Sequence, residues 1–183
     1  MRDYLIQSSG CASGLGRLLR RCALAVGLFG WLACAQAGGV SPSVALHYGA
    51  DAPLEELKAF DIVVVEPDHG FDPKRYKKPY SELYAYIAIG EVQPSRAHAA
   101  AIPAKHLLTT NTDWGSKVID LSWPELPTFV AEAIVGPLWE RGYRGFFLDT
   151  LDSYRRASGI DEAAQQKGLI AVIETLRKYS VNP

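Results

Sequence analysis

The sequence predicts an α/β fold built on a parallel sheet. Three observations carry that reading: short apolar runs without polar alternation, helix-period stretches between them, and a polar or ionisable residue at the end of each run. A chain of 183 residues with 48% hydrophobic and 21% charged side chains and a formal charge of −1 is expected to fold as one domain. That composition excludes a disordered chain and a basic nucleic-acid binder.

Residues 1–37 read as a secretory signal peptide. Arg17, Arg20 and Arg21 precede the apolar run 22–33, and Ala35-Gln36-Ala37 supplies the small residues of a cleavage site. As a helix that run reaches roughly 18 Å, short of a hydrocarbon core of about 30 Å. No stable membrane span is therefore expected after cleavage. Cys34 raises a lipoprotein alternative, for which Trp31-Leu32-Ala33 is a poor context. Removing the leader also removes Arg2, Arg17, Arg20 and Arg21, so the mature chain is more acidic than the whole. All three cysteines (Cys11, Cys22, Cys34) go with it, leaving no disulfide or thiolate metal site. Residues 38–43 follow as a flexible leader.

The mature chain alternates strand and helix about four times. Residues 44–48 form a first buried strand, stopped by Gly49. Residues 52–60 form a helix, with Pro53 in its first turn and Asp51 as cap. Residues 62–65 (IVVV) are a second strand, ended by Glu66-Pro67. The polar stretch 68–79 is a loop with at most a short helix. Residues 83–89 form a third strand, closed by Gly90-Glu91. An irregular region runs to Trp114-Gly115, and 117–120 is a short strand. Residues 124–141 form a helix that Gly136-Pro137 kinks or breaks. Residues 145–149 are the fourth main strand, and 161–179 the last helix.

In parallel α/β sheets the carboxyl ends of the strands converge on one face, where active sites form. Asp149 follows an apolar strand directly, so it would project from the rim of a desolvated core as an acid, base or nucleophile; the bland alternative is a turn cap. Asp152 is a second acidic candidate or a helix cap. Glu91 is a second carboxylate or a partner for Arg96, and Glu66 a site residue or a turn residue. His47 and Tyr48 orient a polyol or fill the interior. Asp68 and His69 lie in a binding loop. Tyr84 and Tyr86 share a strand face, as packing or as a platform for a ring, and Trp114 is a loop aromatic suited to stacking. There is no nucleophile elbow, phosphate loop or dinucleotide fingerprint, and the four histidines lack metal-ligand spacing, so no cofactor or metal is expected.

The stretches 44–49, 86–91 and 145–152 (GFFLDTLD) resemble the hydrolase domains of PelA-type polysaccharide-modification proteins. More distantly they resemble the endo-α-1,4-polygalactosaminidases of glycoside hydrolase family 114. The resemblance implies a TIM (β/α)8 barrel that cleaves α-1,4-linked N-acetylgalactosamine or galactosamine polymer, a Pel-type biofilm exopolysaccharide, in the periplasm. It also implies an outer-membrane export protein as a partner. Asp149 carries over as an active-site carboxylate, and Asp152 and Glu91 less directly. A barrel of this kind takes about 250 residues. Residues 44–183 are therefore expected to be its first four βα units, with the glutamate partner on later strands and an apolar interior uncovered. Such a part alone is expected to be inactive and poorly soluble. The competing reading is a non-catalytic barrel fragment that holds polysaccharide for export.

Overall fold

The computed structural model describes residues 41–76 and 82–181. The expected signal peptide (1–37) and the first half of the expected leader (38–40) lie outside the described residues. Apart from Ser41, the described residues belong to one compact unit, Pro42–Pro183.

Four strands, β1 (Val44–His47), β2 (Ile62–Val65), β3 (Glu82–Ala88) and β7 (Gly145–Asp149), pair in parallel in the order β1-β2-β3-β7. The register sets Leu46 beside Val64, Val64 beside Tyr84, and Ala88 beside Asp149. Side chains alternate across a strand. Val63, Val65, Ala85 and Ile87 accordingly share one face and enter the core with Leu126, Val130, Val135 and Leu138. The opposite face behaves differently. Val44, Leu46, Tyr48 and Phe147 are 51%, 53%, 44% and 38% exposed. In a closed barrel this face would point inward. Among the described residues this face is open at Val44, Leu46 and Phe147 while Val64 between its neighbours is buried. The structure is thus a parallel sheet with intervening helices, consistent with an incomplete α/β barrel.

Between β3 and the next helix lie β4 (Glu91–Val92), β5 (Leu107–Asn111) and β6 (Ser116–Ile119), which form a second, antiparallel sheet in the order β4-β6-β5. The sequence predicts irregular chain where β5 forms. Its run Leu-Leu-Thr-Thr-Asn is strand-like, but it is half-buried and bulged between Leu107 and Thr109, so no clean alternation marks it.

The first two helices are shorter or less regular than the sequence predicts, whereas the last forms close to its expected bounds. Helix α1 is only Leu54–Leu57, and Pro53 is its N-cap rather than a first-turn residue. Asp51 makes no side-chain cap and takes a left-handed φ of 57°. Helix α2 spans residues 126–141 as Leu126–Phe129, a π-helical stretch Val130–Val135, and Gly136–Arg141. The widened register falls just ahead of Gly136-Pro137, because Pro137 has no N–H and its ring crowds the carbonyl of Ala133. Helix α3 (Glu162–Val181) is capped by Asp161, whose Oδ1 accepts from the amides of Ala163 and Ala164 at 3.0 and 3.2 Å. Gln165 pins α3 to the end of β6: it donates to Asp120 at 2.6 Å and accepts from the Leu121 amide at 2.7 Å. Gly168 allows that approach, since a Cβ there would sit 1.7 Å from the Leu121 carbonyl oxygen.

Candidate active site

The carboxyl ends of the four parallel strands open into one cavity of about 610 Å³. Tyr48 enters it from the end of β1, Glu66 and Asp68 from the end of β2, Tyr86 from β3, and Asp149 with Thr150 from the end of β7. Gln93, Arg96 and His98 come from the segment after β4, Trp114 from the β5–β6 turn, and Arg141 from α2.

Asp149 is exposed, and its Oδ2 accepts a 2.7 Å hydrogen bond from the Tyr86 hydroxyl. Burial first, then that bond and the carboxylate charge, push the Tyr86 phenol far above its usual range, so it stays a donor at neutral pH. Tyr48 meets Tyr86 edge to face with centroids 5.0 Å apart, and the Phe147 ring stacks on the other side at 6.4 Å. Burial, then the charges of Asp149 and Glu66, raise Tyr48 as well.

The backbone under Asp149 is strained. Thr150 adopts φ 60°, a left-handed conformation that costs a β-branched residue about 1–2 kcal/mol. Contacts from the β3–β4 connection hold it. The Gly90 amide donates to Thr150 Oγ1 at 3.0 Å, the Ile89 amide donates to the Asp149 carbonyl at 3.0 Å, and Thr150 Oγ1 donates to that same carbonyl at 2.7 Å.

A charged group braces the other wall. Arg96 forks onto Glu66 at 2.6 and 2.7 Å and reaches Asp68 at 2.6 Å. Hydrogen bonding to Glu66 outweighs burial and raises the guanidinium further, so this cation is permanent. Glu66 also accepts from the Asp68 amide at 3.0 Å. Arg141 donates to the carbonyls of Pro67 and Phe71 at 2.6 and 3.2 Å, and Tyr143 donates to Phe71 at 3.3 Å, which ties the Glu66–Asp68 loop to α2 and β7. Burial, helped by the Arg96 cation, lowers His98 and favours its neutral form. The cavity lining therefore carries four carboxylates (Glu66, Asp68, Glu91, Asp149) against two guanidiniums (Arg96, Arg141).

Glu91 is only 6% exposed, at the back of the cavity. Its carboxylate accepts from Asn111 Nδ2 at 3.1 Å to each oxygen, from Ser153 Oγ at 2.6 Å, and from Ser116 Oγ. Burial alone would raise its pKa; these donors, with the Arg156 guanidinium 3.6 Å away, bring it below the usual carboxylate value. The pairing of Glu91 with Arg96 that the sequence allows is not what forms. Arg96 takes Glu66 and Asp68, because the chain between β2 and β3 carries those carboxylates to its side of the cavity.

The structure thus brings Asp149, Glu91, Tyr48, Tyr86, Asp68 and Trp114 to one cavity and leaves three candidates outside its lining. His47 belongs to the helix-covered parity of β1, and its Nε2 is buried with no hydrogen-bond partner. His69 is exposed; its Nδ1 lies 2.7 Å from the Tyr48 carbonyl, beside a separate pocket of about 320 Å³. Asp152 is exposed and precedes the short 3-10 turn Ser153–Arg156 without capping it. Sequence reasoning missed Gln93, His98 and Arg141. None belongs to a local pattern; only the fold of the second sheet and α2 delivers them.

An acidic, aromatic-walled cavity at the carboxyl ends of a parallel sheet is the arrangement expected of a glycoside hydrolase of the α/β class. The glycoside-hydrolase family GH114 matches residues 32–182, and the chain belongs to that family. The glycoside hydrolase domain of PelA from Pseudomonas aeruginosa is 32% identical with a TM-score of 0.64, over 75% of this chain and 56% of that one. A variant of the same domain gives 31% identity and the same TM-score, over 76% and 56%. The chain therefore spans little more than half the length of that domain. Aspergillus fumigatus Ega3, solved in complex with galactosamine, shares the fold at 11% identity, TM-score 0.56, over 79% of this chain and 61% of that one. No curated protein matches the sequence.

Proposed function

We propose that the chain carries the Asp149-bearing half of an endo-acting glycoside hydrolase that cleaves α-1,4-linked N-acetylgalactosamine or galactosamine polymer of the Pel type. The observation that carries this reading is the setting of Asp149: a carboxylate at a parallel-strand tip, hydrogen-bonded by Tyr86, in a cavity with excess negative charge and an exposed tryptophan at its edge. Excess carboxylate favours a neutral or protonated amino sugar over an anionic one.

Glycosidases set two carboxyl groups across the scissile bond, one protonating the leaving oxygen and the other attacking or activating water. Asp149 is one of them. Glu66 is ion-paired and Glu91 is saturated with donors, so neither is free for the opposite role. The opposing carboxylate then comes from strands that complete the barrel. The signal-like pattern of residues 1–37 supports a cleaved leader and a periplasmic location, and the kinship with PelA supports an outer-membrane export partner.

The test compares the chain with a version extended by the remaining strands of the PelA glycoside hydrolase domain, measuring reducing ends released from α-1,4-galactosamine polymer. The extended protein is expected to cleave, and Asp149→Asn to cut turnover by roughly 10³-fold or more. Unchanged turnover in Asp149→Asn would remove Asp149 from the chemistry. Polymer binding without cleavage by the extended protein would favour the export-assembly binder instead.

A further inference from the structure

Glu91 has the properties of a joint rather than of a reacting group. A general acid needs a proton to give, and a nucleophile needs an open oxygen. The Glu91 carboxylate is buried, faces donors only, and has both oxygens occupied. Those donors come from three places. Asn111 and Ser116 stand at the two ends of the β5–β6 turn, with Trp114 between them. Ser153 belongs to the loop that leaves Asp149, and its amide donates back to the Thr150 carbonyl at 3.3 Å. Glu91 itself directly follows Gly90, whose amide holds Thr150 Oγ1. Gln93, two residues on, donates to the Trp114 carbonyl at 2.9 Å.

We infer that Glu91 is a positioning residue: its carboxylate joins the Asp149 loop to the Trp114 turn and so sets the reacting group against the outer stacking surface. The inference rests on the proposed function for its catalytic consequence, but the joint itself is a property of the fold. Glutamine at this position would add an N–H₂ among groups that all donate. The two serine hydroxyls can rotate to accept, but each then exchanges a charge-assisted bond to a carboxylate for a weaker neutral one, and the Asn111 amide nitrogen cannot accept at all. Both connections should therefore loosen, without the charge loss touching β1 or β2.

Two arms test this. In the full chain, amide hydrogen exchange and indole shifts are followed by NMR in Glu91→Gln and Ser153→Ala. Glu91→Gln is expected to speed Gly90 amide exchange roughly tenfold, as for one lost hydrogen bond, and to shift the Trp114 indole signal. Ser153→Ala removes a single donor and should loosen Gly90 while leaving Trp114 in place. The Val64 amide is the control for global unfolding, and Ser153→Ala decides the loop connection if Glu91→Gln fails to fold. Unchanged Gly90 exchange in the variants that fold would overturn the inference.

The second arm uses the barrel-completed protein. Glu91→Gln should lower kcat about 10- to 100-fold and raise KM for long polymer, with both limbs of the pH–rate profile kept. Loss of all turnover together with one limb would make Glu91 a catalytic residue and refute the positioning role. If no version cleaves polymer, the proposed function fails, and the exchange arm still decides the joint.

Discussion

Gly90→Ala is the perturbation on which the geometry of the Asp149 loop can be judged most directly. A Cβ on residue 90 would lie 2.0 Å from the Thr150 carbonyl oxygen and 3.2 Å from its carbonyl carbon. The obstacle is backbone, not the end of a flexible side chain, so residues 90 and 150 must separate by about an ångström to restore ordinary contact. That movement opens the hydrogen bonds from the Gly90 amide to Thr150 Oγ1 and from the Ile89 amide to the Asp149 carbonyl, each 3.0 Å. Overpacking costs about 1–3 kcal/mol and each lost bond about 1 kcal/mol, so the expected destabilisation is about 3–5 kcal/mol. Gly159→Ala is the comparison. Gly159 has φ 71°, and an added Cβ there would meet nothing within 4 Å, so the substitution should cost only the left-handed strain, about 1–2 kcal/mol. Urea unfolding of the two variants beside the wild type measures the difference. Equal midpoints for the two would refute the close approach of residues 90 and 150.

Arg96→Ala strands the largely buried Glu66 carboxylate without its cation, at an expected cost of about 3 kcal/mol, the low end for a broken buried pair because Arg96 keeps 23% of its side chain exposed; thermal unfolding reads this. Glu91 has its pKa lowered in the folded state, so its contribution to stability is complete above the unfolded-state value of about 4.3 and is lost as pH falls through the lower folded value. Urea midpoints taken between pH 6 and pH 3 should therefore fall less steeply in Glu91→Gln than in the wild type. Trp114 is 74% exposed and outside the core, so Trp114→Ala should leave the unfolding midpoint unchanged while weakening polymer binding about tenfold, as measured by calorimetry.

The parallel sheet was legible because its strands are apolar without interruption. Ile62-Val63-Val64-Val65 and Gly145-Phe146-Phe147-Leu148-Asp149 appear in the structure with the bounds read from sequence. Helix ends were less legible. Asp51 stands where a cap would serve, but Pro53 takes the N-cap position of α1, and the π-helical middle of α2 depends on how Pro137 meets the turn before it. Strand β5 escapes sequence reading because a bulge and half-burial blur its period.

The site divides along the same line. A carboxylate immediately after an apolar strand is a local pattern, and Asp149 needed nothing more to be singled out. The roles of Glu91, Arg96 and His47 were not local. Whether a glutamate reacts or braces depends on which donors the chain folds around it, and Asn111, Ser116 and Ser153 lie 20 to 62 residues away from Glu91. Strand parity sends His47 away from the cavity, yet parity has meaning only once the sheet has two distinguishable faces. Sequence by itself determined the parallel α/β architecture and the acidic strand ends, because apolar runs and the residues that stop them are written along the chain. The tertiary structure alone decided which acids share a cavity and which are neutralised by partners, because burial and hydrogen bonding are properties of neighbours brought together from distant positions.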